Sequence, residues 1–209
     1  MGDPVALPAR DEAFGQHGTS LIDRYGVWLS SRAIRRGLPV SNRLRLLDLG
    51  CGYQATLLRG LLPRLAEGVG VDVAVCAEAR QLVGLTFLEG TIEGHLPALP
   101  TGHFDAVTLI SVLEHLAEPL STLQHCHRVL APRGVLLVNV PTWWGKGLLE
   151  FSAFRLGTSP AVEMDDHKMY YDKRDLWPLL VRAGFRPRDI RLRYHKLGLN
   201  LFALVRRGG

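Results

Sequence analysis

The sequence predicts a doubly wound α/β sheet, mostly parallel, with an antiparallel pairing at its end. Three observations carry that reading. Short apolar runs alternate with helical patterns from residue 44 to residue 140. Two of those runs, around Asp48 and Asp72, end in an acid. Two last strand-like runs flank Gly198, as in a closing hairpin.

Residues 20–36 read as a helix, with Leu21, Ile22, Tyr25, Trp28, Leu29 and Ile34 near one face and Arg24, Arg32, Arg35 and Arg36 mostly elsewhere. Gly37 and Pro39 end it. Leu44 to Leu49 is the first buried strand, and Leu57, Leu58, Leu61 and Leu62 mark a helix stopped near Pro63. Val69 to Val73 is the second strand. Leu85 to Leu88 is a short third one, followed by Glu89-Gly90-Thr91-Ile92-Glu93 and a loop rich in Pro and Gly. Phe104 to Ile110 is the fourth strand, and a helical pattern then runs through His127 and Val129. Pro132-Arg133-Gly134 reads as a turn. Val135 to Val140 is almost wholly apolar, as expected of a strand covered on both faces. Residues 141–171 are less regular, with a short amphipathic helix over Leu148, Leu149, Phe151, Phe154 and Leu156. Lys173 to Ala183 is a helix capped by Asp172 and ended by Gly184, in which Pro178 implies a kink or a later start. Ile190 to Tyr194 and Leu199 to Val205 are the final strands.

The stretch Leu46-Leu47-Asp48-Leu49-Gly50-Cys51-Gly52-Tyr53-Gln54-Ala55 is a strand feeding a tight turn into a helix. Glycines at 50 and 52 remove Cβ where the backbone turns sharply and a ligand approaches. Asp48 lies at the carboxyl end of its strand, where open α/β sheets bind ligands. Gly50, Gly52 and Ala55 also fit the nicotinamide fingerprint G-x-G-x-x-G/A. An acid two residues before the first glycine argues against that alternative, because it would repel a pyrophosphate and suits a ligand with a cationic end. Asp72, 24 residues after Asp48, suits a second strand that presents a carboxylate to ribose hydroxyls, or a helix N-cap.

The chain is 47% apolar and carries a net charge of +5, enough apolar content for the core of one domain. The charge is uneven. Residues 46–160 hold 7 basic and 10 acidic residues, whereas residues 161–209 hold 11 basic and 6 acidic ones. An anionic small molecule suits those basic ends. Nucleic acid is disfavoured, because the basic residues form no runs and no interleaved aromatic platform. No segment has the apolar length of a membrane span, and residues 1–10 lack an apolar signal core, so a cytoplasmic location is the expectation. Cys51, Cys76 and Cys126 form no metal or disulfide pattern, and no metal is expected. The oligomeric state is left open.

Five stretches in order resemble the class I S-adenosylmethionine-dependent methyltransferases. They are Leu46-Leu47-Asp48-Leu49-Gly50-Cys51-Gly52, Gly70-Val71-Asp72, Phe104-Asp105-Ala106-Val107, Ser111-Val112-Leu113-Glu114-His115-Leu116 and Arg128-Val129-Leu130-Ala131-Pro132-Arg133-Gly134. A weaker echo follows at Leu179-Leu180-Val181-Arg182-Ala183-Gly184-Phe185. The resemblance implies a Rossmann-like seven-stranded sheet with an antiparallel last strand, and S-adenosylmethionine as cofactor. It implies that Asp48 and the Gly50-Cys51-Gly52 turn face the methionine part of the cofactor. Asp72 would hold the ribose, Val73 would lie against the adenine, and Thr91 and Ile92 would edge that ring. Ser111 would lie beside the sulfonium, with Glu114 and His115 near the mouth. Two positions depart from the family pattern. Gln54 stands where many members have a third glycine, and Thr91 where many have an acid.

The whole chain, residues 1–209, is expected to be one methyltransferase domain, with residues 1–40 as an N-terminal helical cap and residues 141–171 as an acceptor-side insertion. The expected reaction is methyl transfer to O or N of a small-molecule, sugar or lipid-linked acceptor, anionic or sugar-like in character. A non-catalytic binding protein of the same fold, or an NAD(P)-dependent oxidoreductase, is the alternative. A hydroxyl acceptor needs a base, for which His115 and His167 are the candidates. His167 stands in Asp165-Asp166-His167-Lys168, where an aspartate could orient it. His125 and His127 flank Cys126 on a helix, where neighbours point apart, and are read as structural. Trp143 and Trp144 either line the acceptor pocket or pack in the core.

Overall fold

The computed structural model describes residues 13, 16, 21–145 and 169–209, with the side chains of residues 21–28 outside the description. Helix α1 (Leu21–Gly37) precedes a seven-stranded sheet. The first half of the sheet alternates β1 (Leu44–Leu49), α2 (Thr56–Leu61), β2 (Leu65–Asp72), α3 (Ala77–Arg80), β3 (Leu85–Glu89) and α4 (Ile92–His95). The second half runs β4 (Phe104–Ile110), α5 (Pro119–Val129), β5 (Leu130–Pro141), α6 (Lys173–Arg182), β6 (Ile190–His195) and β7 (Asn200–Arg206). Strand order is β3-β2-β1-β4-β5-β7-β6, with β1 to β5 parallel and β7 antiparallel to both of its neighbours. The expected closing hairpin is therefore present, and it folds back so that β7 lies between β5 and β6.

Alternation along the strands divides the core into two layers. Leu47, Leu49, Val107, Leu109, Leu136 and Val138 pack against α5 and α6 in one layer. Leu44, Leu46, Ala106, Val135 and Leu137 join Ala33 and Ile34 of α1 and Leu57, Leu58 and Leu61 of α2 in the other. A Cβ on Gly37 would lie 2.8 Å from Leu137 Cδ2, so a glycine lets the end of α1 sit directly on the sheet.

Two local expectations are corrected by tertiary pairing, and a third by a local cap. Strand β2 starts at Leu65 rather than Val69, because Leu65 to Gly68 pair with Leu44 to Leu46 even though Glu67 is polar. The Pro132-Arg133-Gly134 turn lies inside β5 as a bulge. Arg133 takes φ +64 there and its N–H donates to Arg207 O at 3.1 Å, while Arg207 N–H donates to Gly134 O at 2.8 Å. Pro178 does not delay the start of α6, which begins at Lys173 directly after Asp172. That cap is a full capping box: Asp172 accepts from the backbone of Asp175, and the Asp175 carboxylate accepts from Asp172 N–H at 2.8 Å. It satisfies donors at the end of the helix where the proline removes one bond. The expected short helix over residues 148–156 lies outside the described residues. Among the described residues, no helix is long and apolar enough to cross a membrane.

Asp172→Ala removes one arm of the capping box and should lower stability by about 1 kcal/mol. Urea denaturation should show a lower midpoint with an unchanged slope.

Candidate functional site

Strand order reverses at β1, whose neighbours β2 and β4 lead away to opposite edges of the sheet. Such a switch point opens a crevice at the carboxyl ends of the strands. The turn after β1 builds one wall. Gly50 and Gly52 take φ +73 and +75, and Gly50 and Cys51 both donate their N–H groups to Val71 O of β2. A Cβ on Gly50 would stand 2.2 Å from Val112 Cγ2, so the turns after β1 and β4 meet too closely for any side chain. The third left-handed residue is Ala55, at φ 45. Gln54 is exposed and has no positive φ, so the turn closes here without a third glycine.

Two carboxylates lie at this switch point, near the carboxyl ends of β1 and β2. Asp48 is 2% exposed and accepts a hydrogen bond from the Thr108 hydroxyl at 2.6 Å. Register places it between Gly70 and Thr108. Burial pushes its carboxyl up to about 7; the Thr108 bond acts against that shift, and the charge of Asp72 adds to it. Asp72 accepts from Gly52 N–H at 2.7 Å on one oxygen and from Val73 N–H at 2.8 Å on the other. It therefore locks the glycine turn to the end of β2 and is not a helix N-cap, since Cys76 caps α3. A dehydrated carboxylate held near a second one is a strong site for a cation, because an arriving positive charge relieves both.

The other expected cofactor residues surround the same edge. Cys51 is buried in the turn, and burial pushes its thiol up, which leaves it inert at neutral pH. Thr91 caps the short α4, its hydroxyl accepting from Gly94 N–H at 3.2 Å, and Ile92 is buried behind it. Ser111 is exposed, takes φ 52 and donates its N–H to Asn139 O at 2.8 Å. Glu114 departs from expectation: it is 1% exposed and lies beside the buried Tyr171 rather than at an open mouth. His115 is half-buried on the turn Leu113–His115, held by its N–H donating to Val112 O. His167, with Asp165 and Asp166, lies outside the described residues. Both tryptophans are exposed, Trp143 at 49% and Trp144 at 69%, so neither packs in the core. His125 and His127 are turned away to Arg128 and Phe185.

Two functional candidates escaped the sequence reading. Thr108 is one, because only the β1–β4 register reveals its bond to Asp48. Asn139 is the other. It is 1% exposed, and neither its amide nitrogen nor its amide oxygen has a partner among the described residues. An orphan amide of this kind costs about 1–3 kcal/mol. Its signal was in plain view, a single amide in the apolar run Val135 to Val140.

A buried acid at the switch point, a second acid that fixes a glycine turn and a seven-stranded sheet of this order together describe one family. The family model "Methyltransferase domain" matches residues 20–190. The chain belongs to this methyltransferase family. Over 95% of its length, and 75% of the relative's, it is 28% identical to a "Probable S-adenosylmethionine-dependent methyltransferase" of Mycolicibacterium smegmatis. It is 31% identical to a ubiquinone biosynthesis O-methyltransferase of Pseudomonas aeruginosa over 54% of the chain, and spans about half the length (48%) of that relative. The solved structure of a SAM-dependent methyltransferase from Archaeoglobus fulgidus superposes over 91% of this chain and 95% of its own, with a TM-score of 0.65 at 16% identity. The family's cofactor is S-adenosylmethionine.

The pH behaviour of Asp48 follows from its burial. The folded methyltransferase holds this proton up to about pH 7, whereas an unfolded aspartate releases it near about pH 4. Stability contributed by the protonated carboxyl is therefore lost as pH rises through that window. Asp48→Asn should stabilise the ligand-free protein by ~1–3 kcal/mol at pH 8 and leave it unchanged at pH 4. The same variant should bind S-adenosylhomocysteine more weakly. Thermal melts at the two pH values, with and without the ligand, check both halves.

Proposed function

We propose that this methyltransferase transfers a methyl group to a hydroxyl or amine of a small-molecule acceptor at the carboxyl edge of the sheet. The observation that carries the reading is the pair Asp48 and Asp72 at the β1 switch point, joined through the Gly50–Gly52 turn. S-adenosylmethionine supplies, when bound, an electrophilic methyl carbon on a sulfonium. In this reading Asp48 and the Gly50-Cys51-Gly52 turn receive the methionine end, Asp72 the ribose hydroxyls, and Val73, Thr91 and Ile92 the adenine. Ser111 stands beside the reacting centre on the turn after β4. The chain's own contribution to rate is then position, with a base where the acceptor is a hydroxyl. The name O-methyltransferase carried by the Pseudomonas relative supports oxygen as the acceptor atom.

Residues 1–40 and 141–171 are the proposed acceptor-side cap. Support comes from the exposed Trp143 and Trp144 directly after β5, and from α1 packed across the sheet beside that edge. His115 and His167 are the candidate bases. His115 has the support of its place on the turn after β4, beside Ser111 and the crevice wall at Val112.

Calorimetry should show S-adenosylhomocysteine binding to the full chain. Asp72→Ala should weaken it by about 1–3 kcal/mol through lost charge-assisted hydrogen bonds. No heat of binding to the wild-type chain would remove the reading. Incubation with methyl-labelled cofactor and a panel of hydroxyl and amine acceptors identifies the atom methylated. With an acceptor in hand, His115→Ala or His167→Ala should slow single turnover by ~10²–10⁴ while leaving S-adenosylhomocysteine affinity intact. Full turnover in both variants would mean that no histidine base is used.

A further inference from the structure

One buried polar group stands beside the crevice and has no task in it. Asn139 of β5 is 1% exposed, and neither its amide nitrogen nor its amide oxygen has a partner among the described residues. Its backbone is engaged on both sides. It pairs with Ile110 of β4 and Phe202 of β7, and its carbonyl accepts from Ser111 N–H at 2.8 Å. Alternation puts its side chain on the face that Val135 and Leu137 share with α1 and α2. Asp48 and Thr108 lie on that same face, in line with Leu46 of β1 and Ala106 of β4. The strand neighbours of Asn139 are Val138 and Val140, and both register partners on its face are apolar. A valine would suit this position in the strand, whereas an amide without partners lowers stability.

Strand order gives this amide a place relative to the cofactor. In the reading above, Asp72 of β2 and Thr91 after β3 take the ribose and adenine. The turns after β1 and β4 take the methionine end and the reacting centre. The next strand in the sheet is β5. Asn139 therefore stands one strand spacing, about 4.8 Å, beyond the turn that carries Ser111. Helix α1 confirms which flank this is. A Cβ on Gly37, at its end, would meet Leu137 of β5 and Leu204 of β7. Eight residues earlier, the Leu29 backbone is hydrogen-bonded to His195 of β6. The helix thus runs diagonally from β5 across β7 to β6. Asn139, two residues further along β5 than Leu137, falls on the side of the helix that faces β4 and Asp48.

We propose that the Asn139 amide binds a hydroxyl of the methyl acceptor adjacent to the one that is methylated, so that the acceptor is a 1,2-diol. The inference rests on the methyltransferase reading above. A carboxamide offers N–H donors and a carbonyl acceptor and carries no charge. Its complement is a neutral group that donates and accepts at once, as a hydroxyl does. A carboxylate or phosphate would leave the amide oxygen unpaired, and an ammonium would leave the amide nitrogen unpaired. The short step from the Ser111 turn places the recognised hydroxyl beside the reacting oxygen and not at a remote end of the acceptor. The amide is sealed when no acceptor is bound, so the acceptor takes the place of the groups that cover it. An analogue without the second hydroxyl would bury the amide again without a partner, and this is how the site discriminates.

The full chain, with methyl-labelled S-adenosylmethionine, is assayed on two matched pairs that differ by one hydroxyl: catechol with phenol, and cis-1,2-cyclohexanediol with cyclohexanol. In at least one pair the diol should be methylated with a kcat/KM roughly tenfold or more above that of its partner. Asn139→Val should remove that preference, chiefly through a higher KM for the diol, and leave S-adenosylhomocysteine affinity unchanged. In urea, ligand-free Asn139→Val should unfold at a higher midpoint than the wild-type chain with an unchanged slope, because an unpartnered amide has been removed. An unchanged or lower midpoint shows an amide satisfied within the fold and overturns the proposal. Equal rates within both pairs, no methylation of either diol, or a diol preference that survives in Asn139→Val overturns it as well, and each leaves the methyltransferase reading standing where S-adenosylhomocysteine binds. Weaker S-adenosylhomocysteine binding by Asn139→Val assigns the amide to the cofactor in place of the acceptor. No S-adenosylhomocysteine binding to the wild-type chain sinks the methyltransferase reading, and this proposal with it.

Discussion

The meeting of two turns governs the geometry of the crevice. Gly50 after β1 lies so close to Val112 after β4 that not even a methyl group fits between them. That approach fixes where β1 and β4 end relative to each other, and with them Asp48 and Ser111. Asp48 beside it is 2% exposed, and that burial is what raises its proton affinity. Ionising this carboxyl in its buried setting carries a stability cost.

Asp72 shows the complementary device. Its two oxygens are occupied by Gly52 and Val73 N–H groups, so it organises the backbone before any ligand is present. The same two bonds fix the orientation of the carboxylate itself. One acid stores electrostatic tension and the other supplies order, and both depend on the register of β2 against β1, which pairs Asp48 with Gly70.

The parts legible in the sequence are those whose cause is local. The strand–turn–helix at residues 44–61, both acids and the capping of α6 each depend on residues a few positions apart. The parts that were not legible depend on distant pairing. Thr108 meets Asp48 across 60 residues. The bulge in β5 exchanges two backbone hydrogen bonds with Arg207, more than 70 residues away. The start of β2 is dictated by β1 despite a polar side chain. Glu114 carries the right motif in the expected place, yet packing beside Tyr171 buries it. Arg32 and Arg193 were visible only as general basic character, since α1 and β6 lie at opposite ends of the chain and become neighbours through the final strand reversal.

That reversal has a second effect. It leaves β6, not β7, as the outermost strand among the described residues, with one row of its backbone groups outside the ladder. An open edge of this kind invites a strand from another molecule. Alternation places Arg191 and Arg193 along one face of it, with Arg191 and Arg193 both exposed. Two stacked molecules would have to bring those guanidinium groups together. The arginines of β6 therefore set like charges along this edge, which disfavours its pairing with the same strand of a second copy.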